Sequence, residues 1–195
     1  MDHQSPESQH DAQYWRQFLM GDQQAFEVLY HRHYQHLYNY GYGICADRDL
    51  IREGIQQLFV KLWTNRAGLQ PTGYVKQYIF KAFRHHLYGL LEQQRGQPAP
   101  PSLSMPLVQD SREEKIIRGE TALHTAERLQ QLMTRLTPRQ KEAIQLRFFE
   151  NLSYEEVAQV LDMQVGAAYK LIYRALERLR EAAPTAILLL YWLPF

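Results

Sequence analysis

Apolar residues along this chain recur at every third or fourth position rather than every second, the spacing that lines one face of a helix. A short helix over residues 11–20 is predicted from Tyr14, Trp15, Phe18 and Leu19, and Gly21 with Asp22 interrupts it. A longer helix follows, carrying Phe26, Leu29, Tyr30, His33, Leu37 and Tyr40 at intervals of three and four. The GYG run at 41–43 is expected to end or bend it, because glycine weakens a helix interior. A third helix over 49–64 sets Ile51, Ile55, Leu58, Phe59 and Leu62 on one face, and GLQPTG breaks the chain again. A fourth, from 74 to about 94, turns Ile79, Phe83, Leu87, Leu90 and Leu91 inward.

The periodicity then stops. RGQPAPPSLSMP, residues 95–106, carries Pro98, Pro100, Pro101 and Pro106, cannot continue a helix, and reads as an extended linker between domains. Beyond it, residues 113–136 are expected to be helical, and the helix punctuation becomes plain. In TPRQ, Thr137 can cap, Pro138 suits a first turn, and Gln140 stands where a capping box needs it. SYEE repeats the logic with Ser153 and Glu156. Helices are predicted over 138–150, 154–161 and 166–182. The fold class is all-α: two small helical domains joined by a proline-containing linker, the second a helix-turn-helix. The expected divisions are a polar tail (1–10), a first domain (11–95), a linker (96–112), a second domain (113–183) and an apolar tail (184–195).

Composition adds bounds. The chain has 195 residues, 45% of them apolar, enough for real cores and against wholesale disorder. A net charge of +1 supplies no general attraction to a polyanion, so any nucleic-acid reading must rest on local charge. A single cysteine, Cys45, excludes an intramolecular disulfide, fits a reducing cytoplasm, and reads as a small core residue. The polar, acidic start lacks the pattern of a signal peptide. AILLLYWLPF at the other end is too short to cross a bilayer core as a helix. It either completes the second core or binds a partner.

Local charge is found in the last predicted helix. Ala168, Ile172, Ala175, Leu176 and Leu179 form one stripe, expected to pack on Val157, Ala158 and Leu161. The opposite stripe is Ala167, Lys170, Leu171 and Arg174, with Tyr169 and Tyr173 beside it. Between Met163 and Arg180, Lys170, Arg174, Arg178 and Arg180 outnumber the lone anion Glu177. That is what a helix-turn-helix reader requires: side chains near the start of its second helix reach base edges while cations meet phosphates. The start of the first helix, at Ser153, could meet a phosphate through its peptide N–H groups, and Arg147 could add a contact. A solvated helical hairpin is the plainer alternative.

The segment LTPRQKEAIQLRFFENLSYEEVAQVLDMQVGAAYKLIYRALERLRE resembles region 4 of bacterial RNA polymerase sigma factors of the small extracytoplasmic-function type, which consist of regions 2 and 4 and a linker. AFEVLYHRHYQHLYNYGYGIC is similar to region 2.1, DRDLIREGIQQLFVKLW to region 2.2, and YVKQYIFKAFRHHLYGLLEQQR to regions 2.3 and 2.4. The resemblance implies an alternative sigma factor that binds core polymerase and directs recognition of the −10 and −35 promoter elements. On matching positions, Glu53, Gln56, Gln57, Phe59 and Trp63 would dock on the coiled coil of the largest polymerase subunit, with Phe59 and Trp63 equally able to be core residues. Tyr78 and His85 would hold a flipped −10 base, with Lys76, Lys81, Arg84, His86 and Arg95 nearby for phosphates. Arg147, Ser153, Ala167, Tyr169, Lys170, Leu171, Tyr173 and Arg174 would engage the −35 duplex. The implied partners are core RNA polymerase, promoter DNA and an anti-sigma protein, without membrane insertion. No catalytic residue, cofactor or metal is implied.

The sequence departs from the family pattern at several places. Gly54 sits inside the docking helix, Gln57 replaces a common glutamate, and His85 stands for asparagine. Gly89 and Glu92 replace a frequent aspartate and arginine, and Leu171 replaces a cation. Two other readings compete. A helix-turn-helix regulator with an amino-terminal partner domain would bind its operator without polymerase. A metalloenzyme could use His33 and His36, three apart in HRHYQH, but no third ligand and no HExxH accompany them, so solvated or half-buried histidines are expected.

Overall fold

The structure is a computed structural model, described here over residues 6–95 and 133–182. Residues 1–5, the linker, the apolar tail, the Arg95 side chain and most of the helix expected over 113–136 lie outside those residues; the rest of the expected polar tail, from Pro6, is corrected to the start of the first helix. The chain divides into two compact units, with the long run of each on its own side of Pro100. All regular structure among the described residues is helical.

The first unit is built from α1 (Pro6–Leu19), α2 (Gln23–Ile44), α3 (Arg48–Thr64), a 3-10 turn (Arg66–Gly68) and α4 (Val75–Arg95). Gly21, at φ 92°, makes the left-handed turn between α1 and α2, a conformation that costs glycine little. Asp47 caps α3 by accepting from the Asp49 and Leu50 N–H groups. Those bonds, that of Leu50 foremost, hold its carboxyl below the usual range. The core is aromatic: Trp15, Phe18, Tyr40, Phe80 and Phe83 are essentially inaccessible. Trp15 also donates through Nε1 to the Gln70 carbonyl (3.1 Å), fixing the loop before α4.

One expectation is corrected. The glycines at 41 and 43 do not stop the second helix, which continues through both and ends one residue later, at Ile44. A Cβ at Gly41 would stand 2.9 Å from Ile51 Cγ2 and 3.1 Å from the Phe83 ring. Glycine is there to admit its neighbours, and that close packing offsets its poor helix propensity.

The second unit contains α5 (Pro138–Ile144), a π-helical stretch (Gln145–Phe149), α6 (Tyr154–Val160) and α7 (Val165–Ala182). Both capping boxes form. Ser153 N–H donates to Glu156 Oε2 (2.6 Å) while Glu156 N–H donates to Ser153 Oγ (3.2 Å). Thr137 N–H donates to Gln140 Oε1 (3.0 Å), with the return bond from Gln140 N–H to Thr137 Oγ1 (3.4 Å). The same Gln140 oxygen accepts from Arg178 Nη1 of α7 (3.1 Å). The helix expected over 138–150 is therefore not uniform: its last turn widens into the π form before the chain reverses. Asn151 (φ 58°) and Asp162 (φ 51°) take left-handed conformations on either side of α6, which their short polar side chains tolerate. The expected apolar stripe packs largely as drawn, with Val157, Ala158, Leu161, Ala168, Ile172, Ala175 and Leu179 all buried.

Candidate nucleic-acid interface

In the second unit α7 presents a continuous outer face. Ala167, Lys170 and Arg174 are exposed and Leu171 is half-buried, so four residues spaced by three, four and seven share one side of the helix. Tyr173 stands out at 62% exposure, its hydroxyl bonded to Glu177, which raises its pKa. Arg178 donates to the neutral Gln140 amide, which fixes its side chain and leaves its charge at the surface. Arg139 likewise donates to the Leu161 carbonyl at the end of α6 (2.6 Å).

Three other candidates for duplex contact also make contacts within the domain, Tyr169 remaining exposed. Ser153 is occupied by its capping box. Arg147 is half-buried: Nη1 donates to the Leu152 carbonyl (3.0 Å), and Cζ lies 5.1 Å from the centre of the Tyr154 ring. Tyr169 stacks on Tyr154 with ring centres 3.9 Å apart and planes within 11°. Sequence reasoning missed Tyr154, which looked like an ordinary first-turn residue of α6.

In the first unit α4 brings Tyr78, Lys81 and His85 to one side. Tyr78 is 39% exposed and rests edge-on against Trp15 (5.3 Å), leaving part of its ring open. Burial of the remainder raises its pKa, so the hydroxyl stays a donor at neutral pH. Lys76 is half-buried over the Phe80 ring (5.7 Å). Arg84 is only 8% exposed, its guanidinium 4.8 Å from the Tyr88 ring centre, so its place as an open phosphate contact is corrected to a largely buried one.

The outer side of α3 carries exposed Glu53 and Gln56 and half-buried Gln57. Phe59, a candidate docking residue, is 3% exposed and packs against Tyr30 (5.0 Å) and Phe26 (5.8 Å); it belongs to the core. Trp63 keeps part of its surface, between Phe26 (5.0 Å) and the Arg66 guanidinium (4.5 Å). Val60, 58% exposed one turn beyond Gln56, was not singled out; an apolar residue at an outward position was the available signal. His86, expected beside a phosphate, turns to α3 instead. Its Nδ1 accepts from Lys61 Nζ (3.2 Å), so its Nε2–H donates to Gln57 Oε1 (2.9 Å), and Gln57 Nε2 donates to Glu53 Oε1 (2.8 Å). Burial, then the Lys61 charge, lowers the His86 pKa. Gly54 lies where α4 packs closely: a Cβ there would sit 3.4 Å from Leu90 Cδ1 and 3.5 Å from the Phe83 ring.

His33 and His36 of HRHYQH have different surroundings, His36 being exposed. His33 is buried rather than solvated or half-buried, with Nε2 3.1 Å from Asp11 Oδ2, while Arg32 Nε lies 3.0 Å from Asp11 Oδ1. Among the described residues no three histidine, cysteine or carboxylate side chains cluster as metal ligands, and no helix is long and apolar enough to cross a membrane.

The second unit is a helix-turn-helix with an outward cationic face, and the first is a four-helix domain. Residues 126–179 match the family model for sigma-70, region 4. Two solved structures share the fold. One is CnrH in complex with the cytosolic domain of CnrY: 21% identity, 90% of this chain and 98% of that one covered, TM-score 0.61. The other is the sigma factor RpoE in complex with the anti-sigma factor NepR from Bartonella quintana: 18% identity, 75% and 89% covered, TM-score 0.56. No curated protein sequence matches the chain. Residues 126–179 are thus similar to sigma-70 region 4, and the chain shares its helical fold with both solved structures.

Proposed function

We propose that this chain is an alternative sigma factor that joins core RNA polymerase in the cytoplasm and directs it to promoters through their −10 and −35 elements. The observation that carries the proposal is the region 4 match over a helix whose exposed face offers Ala167, Lys170, Leu171 and Arg174. Such a face fits the major groove, with Lys170 and Arg174 toward base edges or phosphates and Leu171 suited to a thymine methyl. On the first domain, the open part of Tyr78 provides a surface on which an unstacked base can lie, with Lys81 and His85 on the same side. Glu53, Gln56, Gln57 and Val60 offer a mixed polar and apolar face for polymerase, flanked by the open part of Trp63.

The mechanism is positional. The first domain holds melted −10 DNA while anchored to the enzyme, and the second grips the −35 duplex. Base-binding energy offsets the few kcal/mol lost when a base leaves its stack. An anti-sigma protein is a further partner in this reading, by analogy with the RpoE complex.

Reconstituted transcription tests it. Core bacterial polymerase with this chain, on a library of randomised promoters, should yield transcripts whose upstream sequences share a −10 and a −35 motif. Absence of both motifs, or failure of the chain to associate with core enzyme, would overturn the proposal. Replacing Lys170 and Arg174 together with alanine should lower output from the selected promoter at least tenfold, since each good base contact contributes roughly 1–3 kcal/mol of discrimination.

A further inference from the structure

Arg147, Tyr154 and Tyr169 come from three successive elements of the second domain and lie in one stack. The guanidinium of Arg147 is held over one face of Tyr154 at 5.1 Å, anchored by its bond to the Leu152 carbonyl. Tyr169, in the second turn of α7, lies on Tyr154 at 3.9 Å and 11°. This is closer and more nearly parallel than any other ring pair among the described residues.

The buried side chains of α6 and α7 include three alanines, Ala158, Ala168 and Ala175, beside Val157, Val160, Ile172 and Leu179. Small side chains let helices approach but present low ridges, which resist rolling and sliding weakly. The turn at Leu161–Gln164 ties the two helices at one end of α6. Tyr154 is the first residue of α6, at its other end, about 9 Å away at the helical rise. A planar stack at that point adds an attachment between α6 and α7 at the end away from the turn, beside the bond from Arg178 to α5. Tyr169 immediately precedes Lys170 and lies two residues after Ala167, so the roll it fixes is the roll of the exposed reading face.

We infer that Tyr154, clamped between Arg147 and Tyr169, is a positioning residue that sets the angle at which α7 is presented to DNA, and thereby the sharpness of −35 recognition. The inference rests on the proposed function. It assigns Arg147 and Tyr169 to alignment of the reader rather than to reading. It also explains why aromatic area is left near the surface: Tyr154 and Tyr169 together make a rigid plate that alanine-sized contacts cannot.

The test uses the full chain with core polymerase on the promoter library, comparing wild type, Tyr154→Phe, Tyr154→Leu and Arg147→Lys, each also melted alone. Phenylalanine keeps the ring and should retain the wild-type −35 motif. Leucine keeps an apolar side chain but removes the plate. It should reduce discrimination between the best −35 sequence and its single mismatches about fivefold, in line with the worth of an aromatic pair, while the −10 motif stays sharp. Lysine keeps the charge but not the planar group, and should blur the −35 motif to a lesser degree. If Tyr154→Leu does not fold, Arg147→Lys carries the comparison. An unchanged −35 motif in the folded variants, including one with uniformly lower output and lower melting temperature, would show Tyr154 to be an ordinary packing residue and overturn the inference. A wild-type library without any −35 motif would instead sink the functional proposal, and the inference with it.

Discussion

The two domains solve the same problem, holding helices together, with opposite materials. In the first, large rings fill the interior: Trp15, Phe18, Tyr40, Phe80 and Phe83 are all fully buried. In the second, no aromatic side chain is fully buried among the described residues; its interior is Ala143, Ala158, Ala168 and Ala175 with branched aliphatics. Its rings are nearer the surface, as in the Tyr154–Tyr169 stack and exposed Tyr173. Rings inside give a stiff platform from which Gln56 and Tyr78 can project. Alanines inside bring helices close and leave the aromatic side chains free to brace or face outward. Stability in the first domain should therefore reside in a few large residues, and in the second in caps and close approach.

The sharpest way to break this contrast is Phe83→Ala. Phe83 touches the glycine surface of α2 and the packing of α3 on α4, so its loss should cost about 3–5 kcal/mol in chemical denaturation. The cost should fall on the unfolding of the first domain, with the second unaffected. In the second domain the equivalent insult is addition rather than removal. Ala168→Leu should cost roughly 1–3 kcal/mol, because α6 and α7 have no room for a branched side chain at a position with no exposed surface. Ser153→Ala should cost about 1 kcal/mol through loss of the cap on α6, read as a lower denaturation midpoint with an unchanged slope. A smaller effect, in the opposite direction, is expected at Gly54→Ala. The new methyl meets Leu90 and Phe83 at ordinary contact distance and should stabilise by up to about 1 kcal/mol.

The smallest prediction concerns pH. The His86 pKa is lowered in the folded state, by burial first and then by Lys61, with Glu53 acting the other way. Below the ordinary histidine pKa of about 6.5 the unfolded chain therefore binds a proton that the folded chain resists. The contribution of His86 is fully present above that value and declines as pH falls through it toward the folded pKa. Comparison of wild type with His86→Gln should show the wild type losing more stability between neutral pH and the acid side of 6.5. Parallel profiles would refute the link.

Much of this was legible in sequence. Apolar spacing located α2 through α4 and the hairpin helices to within a few residues, because each helix has one buried face and says so in its period, whereas the start of α1 at Pro6 was missed because its first turn is polar. Capping residues gave the starts at Thr137 and Ser153 because those side chains act within their own turn. What the sequence could not show was tertiary. The GYG run reads as a break unless one knows that Ile51 and Phe83 crowd Gly41. The π turn after Ile144 has no local signature. Arg84, Arg147 and Arg178 look like surface cations until the rings and amide they meet are in view. The same holds for His86, whose partners lie on another helix. Candidate readers on α7 were the easiest to find, since a residue that must face outward is marked by what the opposite face does.

Gln140 carries a consequence of its own. A single amide oxygen serves both the first turn of α5 and Arg178 in the second half of α7, two places 38 residues apart in the chain. A helix start that frays and a helix end that lifts away are thereby made the same event. Amide exchange at Thr137 and in the later turns of α7 should accordingly slow and quicken together, so that the far end of α7 is timed by one side chain at the start of α5.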